Sequence, residues 1–179
     1  MNSRRRKRFS LLALVLALLT SPACYSGGLF ESHFQYSYNR FLTPYGEDWY
    51  ILQAQGIAES NLDPLAVSPV GAMGVMQFMP GTWSDCQTAL RISASPHNPR
   101  ASIVCGGWYM RRQLMFWSDP REVRDRWRWA WAGYNWGAGN VLRVQRRLGG
   151  PTEYVLIMHE LPRETRNYVY RIERIYSRR

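Results

Sequence analysis

The sequence predicts an all-α domain, and three observations carry that prediction. Apolar residues recur at helical spacing in several separate stretches, no convincing strand-turn-strand pattern occurs, and no internal repeat interrupts the chain. A chain of 179 residues with 46% hydrophobic content, 8 Trp and 11 Tyr is sufficient for one compact core with short appendages. A single domain is expected.

Taken in order, Arg4, Arg5, Arg6, Lys7 and Arg8 precede the apolar run LLALVLALL and the small-residue stretch TSPAC, which together read as an export signal over residues 1–23. The apolar run is about half of the roughly 20 residues a bilayer-spanning helix needs, which disfavours a transmembrane anchor. Residues 24–45 show no sustained period and contain Gly27, Gly28 and Pro44, so they read as a tether or loosely packed arm. The folded domain is expected over residues 46–179.

Tyr50, Ile51, Ala54, Ile57 and Ala58 then lie on one helical face. Pro64 disfavours helical conformation at the residue before it, so this helix ends by Asp63. Glu59 falls in its last turn beside the apolar face, where desolvation and the negative end of the helix both raise a carboxyl pKa. Pro69, Gly71, Gly74 and Pro80 break the next segment into loop and short turns, with Met73, Met76, Phe78 and Met79 as adaptable apolar contacts.

A further helix carries Ile103, Gly107, Met110 and Leu114, flanked by Trp108 and Tyr109. Asp119 and Pro120 have the chemistry of an N-cap and first helical position, ahead of Val123, Trp127, Ala130, Trp131 and Tyr134 at helical spacing. The alternation in RWRWAW resembles a strand pattern, but that run is short and the longer helical period outweighs it. A last helix after Pro162 carries Tyr168, Val169, Ile172 and Ile175.

Charge and cysteines limit the setting. Five of the 23 basic residues lie in the leader, which has no acid, so the net charge of +10 falls to +5 without it. The remaining basic residues are all arginine, which suits anionic wall or envelope polymers and equally an ordinary solvated basic face. An exported chain meets an oxidising compartment, where thiols pair. Cys86 and Cys105 are the candidate disulfide, and Cys24, the odd one out, is the candidate for lipidation. Pro22 departs from a lipobox, and Ser21 and Ala23 fit an ordinary signal-peptidase site equally well.

Several chemistries lack their residues. His33, His97 and His159 are far apart with no ligand-spaced partner, no G-x-S-x-G occurs, and GAMGVMQ contains no lysine and follows no strand. No metal, no cofactor and no nucleic acid is expected. An isolated Glu59, the uncharged polar groups Ser68, Gln77 and Asn135, and many aromatics suit carbohydrate, whose hydroxyls need hydrogen bonds and whose ring faces need Trp or Tyr platforms.

The segment ESNLDPLAVSPVGAMGVMQFMPGTW resembles the catalytic signature of lytic transglycosylases related to the soluble lytic transglycosylase of bacteria. AGYNWGAGNV is similar to the family's A-Y-N-A-G-x-G-x-V segment, ETRNYV resembles its final helix, and NPRASIVCGGWYM resembles the segment between. The resemblance covers about residues 46–179. It implies a lysozyme-like domain, in an α+β superfamily with little strand, whose cleft holds peptidoglycan glycan strands.

Residue by residue, the resemblance makes Glu59 the acid/base, with Ser60 and Ser68 supporting the site. Ser68, Gln77 and Asn135 would face substrate, Tyr134 would line the cleft, and Tyr168 would hydrogen-bond or pack near Glu59. Two departures stand out: Ala58 where many relatives have Gln, and Trp136 where a small Ala is expected, which would narrow the cleft or add a stacking platform. Glu164 reads as a structural charge at the start of its helix.

The implied reaction cleaves the β-1,4 bond between N-acetylmuramic acid and N-acetylglucosamine without water, leaving 1,6-anhydro ends. Glu59 would protonate the glycosidic oxygen with assistance from the N-acetyl group, then take the proton of the muramyl 6-hydroxyl. One carboxyl serves both transfers, so no second acid is required. The implied location is the periplasm or cell envelope, with membrane attachment, as an outer-membrane lipoprotein, only through Cys24. Two other readings fit the same residues: a hydrolysing lysozyme on this fold, and a wall-binding or secretion-assembly protein that holds glycan without cutting it.

Overall fold

The computed structural model describes residues 28–118 and 121–179. The expected export signal and Cys24 lie outside the described residues, as do Asp119 and Pro120. The helices are α1 (Glu31–Phe41), α2 (Tyr50–Ser60), α3 (Pro80–Leu90), α4 (Pro99–Phe116), α5 (Val123–Trp136), α6 (Ala138–Arg147) and α7 (Arg163–Tyr176). Among the described residues only isolated bridges pair extended backbone, Val67 with Met73 and Met73 with Phe78. The all-α expectation holds, and no described helix is long and apolar enough to cross a membrane.

The RWRWAW stretch is helical because its tryptophans are needed on more than one side. Trp127 and Trp131, one turn apart, pack with ring centroids 5.8 Å apart, while Trp129 meets Trp117 at 4.8 Å. All four are buried. α5 contacts α4, α6 and α7 and so runs through the middle of the domain.

The reading of residues 24–45 as a loose arm is corrected. Phe34, Ser37, Tyr38 and Phe41 form the buried face of α1, and Phe34 and Leu42 are fully enclosed. α1 lies against α4 where Gly107 has no side chain, since a Cβ there would overlap the Ser37 hydroxyl. That hydroxyl donates to the Ile103 carbonyl at 2.9 Å. The serine in the apolar stripe masked the helical period, and α1 packs into the same core as the helices after Gly46.

Two further helices were not expected from sequence. α3 buries only Trp83 and Cys86, too thin a stripe to stand out, and the Cys86–Cys105 disulfide joins it to α4 across a Cα–Cα distance of 5.9 Å. α6 follows α5 after Gly137, which turns the chain at φ 90, and it buries Val141, Val144 and Gln145. α4 is capped at its start by Asn98, whose side chain accepts from the Ala101 N–H at 3.0 Å. The C-terminal end of α2, the loop over residues 61–79, the end of α5 and one face of α7 converge on a single cleft.

Candidate active site

α2 stops where Asn61 and Leu62 adopt left-handed backbone, at φ 57 and 64. The Asp63 carboxylate accepts from the Leu65 N–H at 2.8 Å and shapes the following turn. Ser60 donates to the Val75 carbonyl at 2.9 Å, tying the helix end to the loop behind it. Gly74 sits at φ 74 against the Pro96 carbonyl, a position no Cβ could share. The Met76 peptide is held at both ends: its N–H donates to Ser102 Oγ at 3.2 Å, and its carbonyl accepts from the Tyr134 hydroxyl at 2.8 Å.

These restraints hold the loop open beside Glu59. Gln77, at φ 47, donates its amide to the carbonyls of Gly74 at 2.9 Å and Ala66 at 3.3 Å. Ser68 Oγ accepts from the Ala72 N–H at 3.0 Å. Across the cleft, the Tyr134 ring is set by Phe78 at 6.2 Å and Tyr109 at 5.1 Å. Asn135, exposed at the end of α5, accepts through Oδ1 from the buried Thr165 hydroxyl at 2.8 Å.

Glu59 is half-buried at a cleft of about 500 Å³. The Tyr168 hydroxyl donates to Glu59 Oε1 at 2.5 Å. Burial pushes the Glu59 carboxyl from its ordinary 4.5 up to about 8, against the smaller stabilising effects of Tyr168, Arg171 and Gln55 on the anion. Burial also pushes the Tyr134 and Tyr168 phenols well up, and the Glu59 charge adds to both. Near neutral pH the site holds a protonated carboxyl ringed by neutral phenols.

Of the residues singled out in the sequence, Glu59, Ser68, Gln77, Tyr134, Asn135 and Tyr168 line this one cleft. Ser60 does not line it. Trp136, expected at the cleft, instead packs partly buried against the core, and among the described residues no tryptophan lines the cleft. The tryptophans pack in or against the core, and apolar contact at the cleft comes from Ala58, Val70, Ala72 and Met79 beside the Tyr134 and Tyr168 rings.

Glu164, read as a structural charge, is a cleft residue, and Asn167 and Arg171 join it. The signal for these was present: positions 164, 167, 168 and 171 follow helical spacing on α7, one turn above another. Gln55 was also missed, because a glutamine within an apolar helix face has no motif to mark it.

Residues 39–157 match the Transglycosylase SLT domain family. The chain is 35% identical over 122 residues to membrane-bound lytic murein transglycosylase F 1 of Alkalilimnicola ehrlichii, covering 66% of this chain and 24% of that protein. It is 33% identical over 119 residues to membrane-bound lytic murein transglycosylase F of Histophilus somni, covering 64% and 24%. The chain thus spans about a quarter of the length of these curated relatives.

Among solved structures, the fold is similar to the 70 kDa soluble lytic transglycosylase of Escherichia coli, with a TM-score of 0.63 and 27% identity over 78% of this chain and 22% of that one. It is likewise similar to the complex of the 70 kDa soluble lytic transglycosylase with bulgecin A, with a TM-score of 0.61 and 25% identity over 83% and 24%. With these residues arranged around one cleft in that fold, the chain belongs to the Transglycosylase SLT domain family.

Proposed function

We propose that this protein is a lytic transglycosylase that cleaves peptidoglycan glycan strands between N-acetylmuramic acid and N-acetylglucosamine, with Glu59 as the only acid and base. The observation that carries this reading is a half-buried carboxyl, kept protonated near neutral pH, at a cleft lined by sugar-compatible polar groups. A poised acid is what departure of an alkoxide requires.

In the first step Glu59 gives its proton to the glycosidic oxygen, the C1–O bond of the muramyl residue breaks, and its N-acetyl carbonyl oxygen bonds to C1. In the second, the Glu59 carboxylate takes the proton of the muramyl 6-hydroxyl, and that oxygen displaces the acetamido oxygen at C1. The 1,6-anhydro ring forms, no water is consumed, and Glu59 ends protonated. The internal hydroxyl outcompetes water because effective molarities of roughly 10⁵ M or more are accessible to a well-oriented group, against about 55 M water.

The polar groups have distinct capacities left for substrate. Thr165 occupies Asn135 Oδ1, which leaves the amide N–H groups as donors. Gln77 commits its amide nitrogen to backbone carbonyls, which leaves its oxygen as an acceptor. Ser68 accepts from Ala72 and keeps its O–H as a donor. The same reading sends the protein to the cell envelope after export.

Digestion of purified peptidoglycan by the full chain, followed by mass spectrometry, tests the reaction. Muropeptides ending in 1,6-anhydro-N-acetylmuramic acid are expected, each one water lighter than a reducing end and unaffected by a chelator. Predominantly reducing ends would make the protein a hydrolase, and an unchanged substrate would make it a binding protein.

A further inference from the structure

Gln55 stands one helical turn before Glu59 on α2 and is fully buried. Its amide N–H donates to the Tyr168 phenol oxygen at 3.1 Å, and the Tyr168 hydroxyl in turn donates to Glu59 Oε1 at 2.5 Å. The Gln55 side-chain oxygen has no hydrogen-bond partner although it is buried. Its neighbours along α2 are Ala54, Ile57 and Ala58, all buried and apolar. An orphaned buried acceptor is destabilising compared with an apolar side chain of the same length. Packing therefore gives no reason for an amide at this position.

We infer that Gln55 is a positioning residue that commits the Tyr168 hydroxyl proton to Glu59, an inference that rests on the acid/base reading of Glu59 above. With the Gln55 N–H on the phenol oxygen, the hydroxyl has Glu59 as its acceptor, and the chain from Gln55 through Tyr168 to Glu59 points in one direction, in addition to the direct stabilisation Gln55 gives the Glu59 anion. Successive hydrogen bonds of that kind polarise one another and strengthen. The carboxylate left after proton donation gains most, so the chain eases the first transfer and holds the carboxylate oxygen in place for the second.

The other ionisable groups that face this carboxyl come from three elements. Arg171 on α7 favours its anion, Tyr134 on α5 couples to it, and Glu164 on α7 lines the same cleft. From α4, Tyr109 meets the Tyr134 ring.

The test is Gln55→Met in the full chain, read by ¹³C NMR titration of the glutamate carboxyls, thermal unfolding, and peptidoglycan digestion across pH. Loss of one ordinary hydrogen bond corresponds to a roughly two- to tenfold effect, so the Glu59 midpoint is expected to rise by about 0.3 to 1 pH unit. kcat falls by a similar factor at unchanged KM, and the alkaline limb of activity moves up with the midpoint. The melting temperature stays level or rises, because an orphaned polar atom has been removed.

An unmoved Glu59 midpoint overturns the inference, as does a lowered melting temperature with normal kcat, which would mark a packing residue. Gln55→Glu provides a second arm. Its carboxyl can donate to Tyr168 only while protonated, so near-normal kcat at acid pH that fails as it ionises is expected, and failure at every pH would count against the chain. The NMR midpoint decides the role of Gln55 even if the wild-type protein cuts no peptidoglycan, which would refute the proposed function separately.

Discussion

Glu59 weakens the fold in order to be useful. Its folded-state pKa, about 8, lies above the ordinary 4.5, so the folded chain holds this proton more tightly than the unfolded one. The associated stability is complete below pH 4.5 and is lost as pH rises through 8, where a half-buried anion remains. Glu59→Gln keeps the neutral shape and can still accept from Tyr168. Its melting temperature should match wild type below pH 4.5 and exceed it above pH 8, by at most a few kcal/mol in stability. Calorimetry over that range checks the sign. Activity on peptidoglycan should fall by at least roughly 10² to 10⁴-fold, since in the proposed reaction one residue supplies both proton transfers. Asp63→Asn should do far less, because Asp63 only accepts from Leu65 N–H at the turn.

At the scale of elements, the cleft depends on how short pieces are tied together. α3 has little buried surface of its own, so its attachment to α4 rests heavily on the Cys86–Cys105 disulfide. Closing the 19-residue separation is worth roughly 3 kcal/mol in the chain-entropy model. Alkylation of the native protein without reductant should leave both thiols unlabelled by intact mass, and reduction should lower the melting temperature. Labelling of both would remove the disulfide. The loop before α3 is pinned separately by Ser60, Ser102 and Tyr134, so reduction is expected to weaken the fold more than it disturbs Glu59.

For the whole molecule, the boundary of the folded unit is the point on which sequence and structure part. A chain starting at Gly46 would lose α1 and expose the face of α4 that receives Ser37 and Phe41 and the α2 surface at Gly56 that Phe34 covers. It should lack cooperative unfolding by circular dichroism, whereas a chain starting at Gly28 should retain it. Equal stability of the two would return α1 to the status of an arm.

What the sequence determined by itself is local in origin. Helical periods placed α2, α4, α5 and α7, Pro64 bounded the end of α2, and motif order singled out Glu59, Ser68, Gln77, Tyr134, Asn135 and Tyr168, which the fold brings to one cleft. Tertiary structure alone decided the rest. α1 is a core helix because Gly107 admits Ser37, a contact across 70 positions that no local period encodes. Trp136 packs partly buried against the core rather than along the cleft, a choice made by its tertiary neighbours. Gln55 acquired a partner only when α7 laid Tyr168 between it and Glu59, since hydrogen-bond direction is set by which groups burial forces together.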